Sequence, residues 1–192
     1  MSPELYVVAG PNGSGKSSSI TASGLDRKCP FLVNPDNFSR CLRDVEDETE
    51  GYIAAMKFCE RLRHLLLEFE MDFGFETVGS TREKIEFISE AKERGYSISL
   101  LFVCAGNPET CIERIGDRVR NGGHDVPEDK VRSRYERVLA LLPEYIRLAD
   151  DAAVFDNSDR PRLVLSKRDG VLELSAETPD WLIPTAKELG LV

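Results

Sequence analysis

Short apolar runs alternate with longer amphipathic stretches along this chain. The apolar runs predict strands at 5–9, 31–33, 72–77, 97–105 and 152–155. The amphipathic stretches predict a helix that begins at Gly15 and further helices at 49–69, 81–94, 107–120, 127–149 and 179–189. Because strands alternate with helices, we expect an α/β fold in which helices cover both faces of a parallel sheet.

Two stretches of this pattern give more detailed expectations. In the helix at 49–69, a period near 3.6 residues predicts a buried face, which consists of Ile53, Met56, Cys59, Leu62, Leu66 and Phe69. Near the end of the chain, 162–166 and 171–174 flank an Asp-Gly pair, which predicts a small C-terminal β-hairpin. No linker or repeat divides the sequence, so we expect a single domain over 1–192 with a lid at about 107–137.

Composition narrows the choice of partners. The formal net charge of -9 argues against a protein that binds nucleic acid through a generally basic surface. The start of the chain has no basic leader, and no apolar segment is long enough to cross a membrane, so we expect a cytoplasmic protein without a membrane partner. The five cysteines form no CxxC pair and are expected to be mostly small buried thiols.

The strongest chemical signal is a glycine-rich loop between the first strand and the first helix. Its sequence matches GxxxxGK[ST] and consists of Gly10, Pro11, Asn12, Gly13, Ser14, Gly15, Lys16 and Ser17. Gly13 and Gly15 allow the backbone N–H groups to turn inward around phosphate oxygens, and the helix that follows adds its positive end. Lys16 is expected to bridge the β- and γ-phosphates of ATP, and the Ser17 hydroxyl to ligate Mg2+.

Further segments resemble the zeta toxin family of P-loop kinases. They are GPNGSGKSS, FLVNPD, FETVGS, RVRNGGHDVPEDKVRSRYERV and a YxDN-like element at 155–158. The resemblance extends from residue 5 to about 165. It implies a three-layer P-loop NTPase fold with a helical lid, and Ser18 joins the ATP-binding loop. It also implies phosphorylation of a sugar hydroxyl of UDP-N-acetylglucosamine, and a protein antitoxin as a partner.

The resemblance also assigns roles on the acceptor side of the site. Asp36 matches the general base, in keeping with a carboxylate that follows a strand; the alternative is that it only caps the next helix. Glu76 and Thr77 end the third strand and become substrate- or magnesium-side contacts, unless Glu76 merely begins a polar loop. Arg82 is a candidate for the same crevice, with an exposed helix-face arginine as the alternative.

A local cluster of basic residues lies in the lid and consists of Arg114, Arg118, Arg120, Lys130, Arg132, Arg134 and Arg137. Arginine forks can stabilise the charge on a transferring phosphoryl group. By position, Arg118 and Arg134 are the catalytic candidates, with Arg120 (as an ATP contact) and Arg137 next. The alternative is surface pairing with acidic residues at helical spacing, which we expect for at least three of the seven.

Two other polar positions have weaker assignments. The resemblance places Asn157 and Ser158 near the adenine, and His124 is expected to be structural or to position the lid. Three functions remain open: a UDP-N-acetylglucosamine kinase, a kinase of another metabolite, and an ATP-hydrolysing switch or toxin–antitoxin protein. A transport ATPase is disfavoured, since the chain has no LSGGQ-like stretch.

Overall fold

The computed structural model describes residues 2–39, 41–42, 47–121 and 125–192, with only the backbone described at Glu48 and Thr49. The strands of these residues form one sheet. They are β1 (Glu4–Ala9), β2 (Leu32–Val33), β3 (Phe73–Glu76), β4 (Ser97–Cys104), β5 (Asp151–Asp156), β6 (Arg162–Arg168) and β7 (Val171–Leu174). Each strand predicted from the sequence is present, with its ends moved by a residue or two.

The helices pack on both faces of this sheet. They are α1 (Lys16–Ser23), α2 (Leu25–Lys28), α3 (Pro35–Ser39), α4 (Glu48–Glu68), α5 (Arg82–Glu93), α6 (Pro108–Arg120), α7 (Glu128–Leu148) and α8 (Ile183–Glu188), which follows a 3-10 helix at Asp180–Leu182. The sequence pattern did not predict α2 and α3, because each has fewer than two turns and therefore shows no periodicity. None of the described helices combines the length and the apolar character that a membrane span requires.

The strand order is β2-β3-β1-β4-β5-β6-β7. The strands from β2 to β5 are parallel, whereas β6 and β7 run antiparallel to their neighbours. The predicted hairpin is therefore confirmed, but it extends the main sheet, and the sheet is mixed where a parallel one was expected. Its tight turn uses Asp169 and Gly170, both at positive φ (49° and 77°), as the two-residue hairpin turn requires.

Strand β1 lies in the centre and sets the position of the functional site. Its neighbours are β3 on one side and β4 on the other. After β1 the chain builds the β2–β3 side of the sheet and then crosses to β4. The carboxyl end of β1 is thus the point at which the connections diverge, and open α/β sheets place their ligand crevices there.

Alternating residues of β1 separate the two hydrophobic layers. Val8 packs with Ile20 of α1 and with Val103 of β4 on one face of the sheet. Leu5 and Val7 belong to the larger core on the other face, which α4, α5 and α7 cover. The sheet and its two helical layers form the three-layer arrangement expected of the P-loop NTPase fold.

The buried face of α4 differs from the predicted one. Cys59 and Leu66 are buried as expected, but Ile53, Met56 and Phe69 are 47%, 49% and 71% exposed. Other residues of α4 that are buried include Ala55, Arg63 and Leu67. The guanidinium of Arg63 lies 5.3 Å from the ring centroid of Phe75 and 5.7 Å from that of Phe87, so a charged side chain replaces a predicted apolar contact.

The segment predicted as a lid consists mainly of α6 and the first half of α7. Its inward side chains Cys111, Ile115, Val131 and Tyr135 are buried in the main hydrophobic core. These two helices are therefore anchored to the body of the domain. The Gly122–His124 stretch between them lies outside the described residues, and with it the expectation for His124. Of the five cysteines, only Cys41 is exposed.

The C-terminal end of α7 is held by two lysines from neighbouring elements. Lys167 of β6 donates to the carbonyl oxygens of Ile146, Arg147 and Ala149 at 3.0, 3.2 and 2.6 Å. Lys92 of α5 donates to the carbonyl oxygen of Leu148 at 3.0 Å. Carbonyls in the last turn of a helix have no partner within the helix, and a cation there also complements the helix dipole.

We expect Lys167→Met to lower the free energy of unfolding by about 1–2 kcal/mol, since three carbonyl groups lose a charged donor. Urea denaturation followed by circular dichroism measures the change. Lys57→Met, at an exposed position in the middle of α4, is the matched control and should change stability by less than about 0.5 kcal/mol. Equal effects of the two substitutions would contradict the capping role of Lys167.

Candidate nucleotide-binding site

The loop between β1 and α1 contains three glycines at positive φ, Gly10 (142°), Gly13 and Gly15, where other residues are strained. Gly13 has φ 74° and Gly15 has φ 94°. A Cβ atom on Gly13 would lie 2.4 Å from the carbonyl oxygen of Cys111, and one on Gly15 would lie 2.4 Å from the Asn157 amide nitrogen. Side chains at either position would therefore collide with α6 or with the residue after β5, and the curvature of the loop depends on both glycines.

The interior of this loop contains a buried cation and a buried hydroxyl. The Lys16 side chain is 8% exposed, and its ammonium donates to the carbonyl oxygens of Gly10 and Pro11, each at 3.0 Å. Burial lowers the pKa of Lys16, and the charge of Glu76 opposes that shift. The Ser14 hydroxyl is buried and has no hydrogen-bond partner among the described residues. Both groups are suited to an anionic ligand in the loop.

Glu76 connects the loop to the second strand of the site. Its Oε1 lies 4.0 Å from the Lys16 ammonium, and its Oε2 accepts a hydrogen bond from the Asn34 amide at 2.8 Å. Ser17, exposed in the first turn of α1 beside Ser18, also hydrogen-bonds to Glu76. Burial raises the pKa of the Glu76 carboxyl, and the charge of Lys16 lowers it in part.

Asp36 lies in α3, exposed, at the acceptor side of the site. Its backbone N–H donates to Asn34 Oδ1 at 2.9 Å, so Asn34 caps α3 and the helix-cap alternative for Asp36 is not supported. The Asp36 carboxylate hydrogen-bonds to Tyr52 of α4, and its charge acts on both Lys16 and Glu76. The Asp36 side chain therefore does not cap α3, and it lies close to the Lys16–Glu76 pair.

Asn34 and Tyr52 were not identified from the sequence as site residues. The Asn-Pro-Asp sequence of a helix start could have indicated Asn34, since asparagine is a preferred N-cap. Nothing in the sequence distinguishes Tyr52 from other aromatic residues on an amphipathic helix, because its contact with Asp36 depends on how α4 packs. Thr77 lies beside Glu76, where its N–H donates to the Val8 carbonyl oxygen at 2.9 Å and its hydroxyl accepts from the Gly79 N–H at 3.0 Å.

Two of the predicted arginines lie near this cluster. Arg134 of α7 donates to Asn12 Oδ1 of the loop at 3.4 Å, and its charge acts on Tyr52. Arg118 of α6 is exposed, and its charge lowers the pKa values of both Lys16 and Glu76. The two side chains lie near the loop and come from different helices.

Three other arginines that the sequence nominated, Arg82, Arg120 and Arg132, make surface pairs. Arg120 pairs with Asp117 one turn earlier on α6, both largely exposed. Arg82 donates to both carboxylate oxygens of Glu144, at 3.0 and 2.8 Å, with its side chain 65% exposed. Arg132 pairs with Glu109 and Glu128. These contacts favour the surface alternative for Arg82 and Arg120, whose predicted roles in substrate and ATP binding receive no support.

Asn157 lies immediately after β5 and contacts the glycine-rich loop between β1 and α1. Its side-chain amide donates to the Ser14 carbonyl oxygen at 2.8 Å. Ser158 donates to Asp156 Oδ1 at 2.6 Å, and its carbonyl oxygen accepts from Arg114. The Asn157 amide is thus engaged by the loop itself. The adenine contact of these two residues stays a prediction.

The residues present fit a nucleotide phosphate and a divalent cation. A concave loop, a buried ammonium and an unpaired hydroxyl suit phosphate oxygens. The Ser17 hydroxyl and the Glu76 carboxylate supply neighbouring oxygen donors of the kind Mg2+ prefers. Among the described residues no group of three or more His, Cys, Asp or Glu side chains could hold a metal, so an ion here would take its other ligands from phosphate and water.

The sheet order, the glycine loop at the carboxyl end of β1 and the buried lysine define a P-loop protein. Comparison with family models makes the classification narrower. The model of the Zeta toxin family matches residues 1–169, and the chain therefore belongs to the zeta toxin family. Residues 170–192, with β7 and α8, lie beyond the matched segment.

The chain is similar to known proteins in sequence or in structure, in each case at low sequence identity. An uncharacterised protein of Haemophilus influenzae is 28% identical over 135 residues, which are 70% of this chain and 94% of that protein. The AvrRxo1-ORF1:-ORF2 complex with ATP superposes with a TM-score of 0.76 at 18% identity over 90% of this chain. The match spans only 60% of the AvrRxo1 chain's length. A structure of the PezAT toxin–antitoxin system of Streptococcus pneumoniae gives a TM-score of 0.59 at 17% identity, over 98% of this chain and 86% of that one.

Proposed function

We propose that the protein is an ATP-dependent kinase that transfers the γ-phosphoryl group to a hydroxyl of a small molecule, with UDP-N-acetylglucosamine as the first acceptor to test. The observation that carries this proposal is the convergence of Lys16, Glu76 and Asp36 at the carboxyl end of the parallel strands. A phosphate-binding loop with an exposed carboxylate beside it has what phosphoryl transfer needs, a donor cradle and a proton acceptor. Membership of the zeta toxin family supports the same chemistry.

On the donor side, the Lys16 ammonium exchanges the Gly10 and Pro11 carbonyl oxygens for β- and γ-phosphate oxygens of ATP. The loop N–H groups and the Ser14 hydroxyl bind the remaining phosphate oxygens. Ser17 and Glu76 are the residues that would hold Mg2+, which when bound neutralises charge on the β- and γ-phosphates. Ser18, next to Ser17 in α1, completes the predicted loop contacts.

On the acceptor side, Asp36 accepts the proton of the acceptor's hydroxyl group while the oxygen of that hydroxyl forms the new bond to the γ-phosphorus. The bond from that phosphorus to the bridging oxygen breaks, and ADP leaves with the electron pair. Tyr52 keeps the carboxylate oriented through their hydrogen bond. Thr77, beside Glu76, is close enough to the carboxyl end of β3 to contact the acceptor, whereas Arg82 is committed to Glu144.

Arg134 and Arg118 are proposed to stabilise the charge that spreads over the γ-phosphoryl oxygens. Their guanidinium groups carry a charge that needs no proton transfer, and both lie beside the loop. Arg134 donates to the Asn12 side chain at 3.4 Å, a long contact that a phosphate oxygen can replace.

We expect Arg134→Met to lower kcat by about 100-fold or more, because a guanidinium that acts mainly on the transition state is lost. The KM for ATP should rise by a smaller factor. Arg132→Met is the matched control, since Arg132 lies two residues away on α7 and pairs with Glu109 and Glu128 at the surface. Steady-state kinetics of ADP release measure both variants, and an equal decrease in the two would show that Arg134 has no special role.

The deciding experiment is mass spectrometry after incubation of the protein with ATP, Mg2+ and either UDP-N-acetylglucosamine or a metabolite extract. A singly phosphorylated UDP-N-acetylglucosamine supports the full proposal. A phosphorylated product in the extract alone keeps the kinase chemistry and changes the acceptor. Steady release of ADP without any phosphorylated small molecule would overturn the kinase and favour an ATP-hydrolysing switch.

A protein partner is proposed as well. One structure with this fold is the AvrRxo1-ORF1:-ORF2 complex, and another comes from the PezAT toxin–antitoxin system. These likenesses, together with the family, support an antitoxin that binds this chain and restrains its activity. Co-expression of the chain with the gene next to its own, followed by purification of a stoichiometric complex, tests this partner.

A further inference from the structure

Asn157 contacts the phosphate loop, and both its own hydrogen bonds and a glycine of the loop make this contact possible. The Asn157 side-chain amide donates to the Ser14 carbonyl oxygen at 2.8 Å, and its backbone N–H donates to the Cys104 carbonyl oxygen at 2.6 Å. The first bond ties it to the loop and the second to the end of β4. On the loop side, the close approach requires Gly15, because a Cβ there would lie 2.4 Å from the Asn157 amide nitrogen.

This bond controls the direction of a loop N–H group. The Ser14 carbonyl and the Gly15 N–H belong to one planar trans peptide unit, in which C=O and N–H point in opposite directions. Holding the Ser14 oxygen toward Asn157 therefore turns the Gly15 N–H away from Asn157 and toward the inside of the loop. That is the side from which the loop's N–H groups would bind phosphate oxygens.

The residue before Asn157 fixes it to the C-terminal part of the chain. Asp156 is 3% exposed, and its Oδ1 accepts from the Trp181 indole N–H at 3.2 Å. Its Oδ2 accepts from Arg162 of β6 at 3.0 Å. Trp181 also packs against Phe102 of β4, with ring centroids 6.4 Å apart. Trp181 lies beyond the segment that the family model matches. A residue outside that segment therefore contacts Asp156, the neighbour of Asn157.

We propose that Asn157 is a positioning residue, which sets the conformation of the phosphate loop through the Ser14 carbonyl, and that Asp156 and Trp181 hold Asn157 in that position. This inference rests on the proposed ATP site. It assigns Asn157 a role that is independent of the base, in place of the adenine contact expected from the sequence. A loop held in this way needs less ordering when a phosphate chain binds, whatever base the ligand carries.

The test compares three ligands, ATP, GTP and inorganic tripolyphosphate, by titration calorimetry with Mg2+. Asn157→Leu keeps the branched shape of the side chain and removes the donor. We expect it to weaken the binding of all three ligands by the same factor, about 5- to 10-fold, as the loss of one partly buried hydrogen bond allows. A loss confined to ATP, with tripolyphosphate binding unchanged, would assign Asn157 to the adenine and overturn the inference.

The same titrations separate this inference from the proposed function. If the unaltered protein binds none of the three ligands, the ATP site itself is wrong. If it binds them and Asn157→Leu binds them equally well, only the positioning role fails. Asn157→Ala serves as a second variant should the leucine prevent folding, and circular dichroism and the thermal midpoint report the fold of each variant.

Trp181→Phe tests the connection to the C-terminal segment. Phenylalanine keeps an aromatic ring next to Phe102, although a smaller one, and removes the indole N–H that donates to Asp156. We expect a shared decrease of about 2- to 3-fold in the affinities for ATP and tripolyphosphate, because Asp156 and with it Asn157 lose one of their restraints. A lower thermal midpoint with unchanged affinity for both ligands would show that Trp181 only stabilises the fold.

Discussion

Replacing Lys16 with methionine is expected to remove measurable ATP binding while leaving the thermal midpoint of the nucleotide-free protein at or above its original value. The two effects have the same origin. Burial lowers the pKa of the Lys16 ammonium even with Glu76 at 4.0 Å, so the charged side chain costs folding free energy before a nucleotide binds. Methionine has a similar length and no charge to desolvate.

The loss of binding follows from the bonds that the ammonium makes to phosphate. Each charge-assisted hydrogen bond contributes about 1.5–3 kcal/mol, so losing two of them weakens ATP binding by at least about 100-fold. Differential scanning fluorimetry with and without ATP and Mg2+ measures both effects. ATP at 100 times its Kd stabilises the unaltered protein by about 2.7 kcal/mol, and it should give no shift in Lys16→Met.

Lys28→Met is the control for this substitution, because Lys28 is exposed at the end of α2. It should keep both the midpoint and the ATP-induced shift. A Lys16→Met protein that is still stabilised by ATP would show that the loop is not the nucleotide site. A variant that has lost much of its stability without ligand would show that the lysine serves the fold more than the ligand.

The sequence predicted the order of the elements well because the fold depends on local patterns. Strand β4 is a nearly continuous apolar run, as a strand buried on both faces must be. Helix α6 begins at Pro108, directly after Asn107, whose side chain caps the helix. Helix α4 shows the limit of this approach. Its apolar residues cover a wide arc, and only the packing against β3 and α5 decides that Arg63 and Leu67 face inward while Phe69 remains 71% exposed.

The candidate site divides in the same way. Lys16 and Ser17 could be predicted because the loop that places them is contiguous in sequence and its shape depends on local glycines. Tyr52 could not be predicted, and Asn34 could be recognised only as a helix cap. The contact of Tyr52 with Asp36 and that of Asn34 with Glu76 both join segments that are distant in the chain. The sequence around the arginines of α6 and α7 does not distinguish one from another. Their contacts in the fold do, since Arg134 reaches the loop whereas Arg120 and Arg132 pair with acidic residues at the surface.

Asp36→Asn is expected to lower kcat by about 100- to 10,000-fold while the affinity for ATP stays within about twofold, which is the range that general base catalysis contributes. The substitution preserves the shape of the site. The bond from the Asp36 N–H to Asn34 is made by the backbone, and the Asn side-chain oxygen can still accept from Tyr52. What is lost is the negative charge that takes up the proton of the attacking hydroxyl.

The measurement combines calorimetric titration of ATP with initial rates, using the acceptor that gives a product in the mass-spectrometric experiment. Asp26→Asn, in the exposed first turn of α2, is the matched control and should leave both quantities unchanged. Normal turnover by Asp36→Asn would exclude Asp36 as the base. A parallel loss of ATP affinity and kcat would mean that Asp36 helps to build the nucleotide site, in which case the proton must pass to another acceptor, and Glu76, whose pKa is raised by burial, is the next carboxylate to replace.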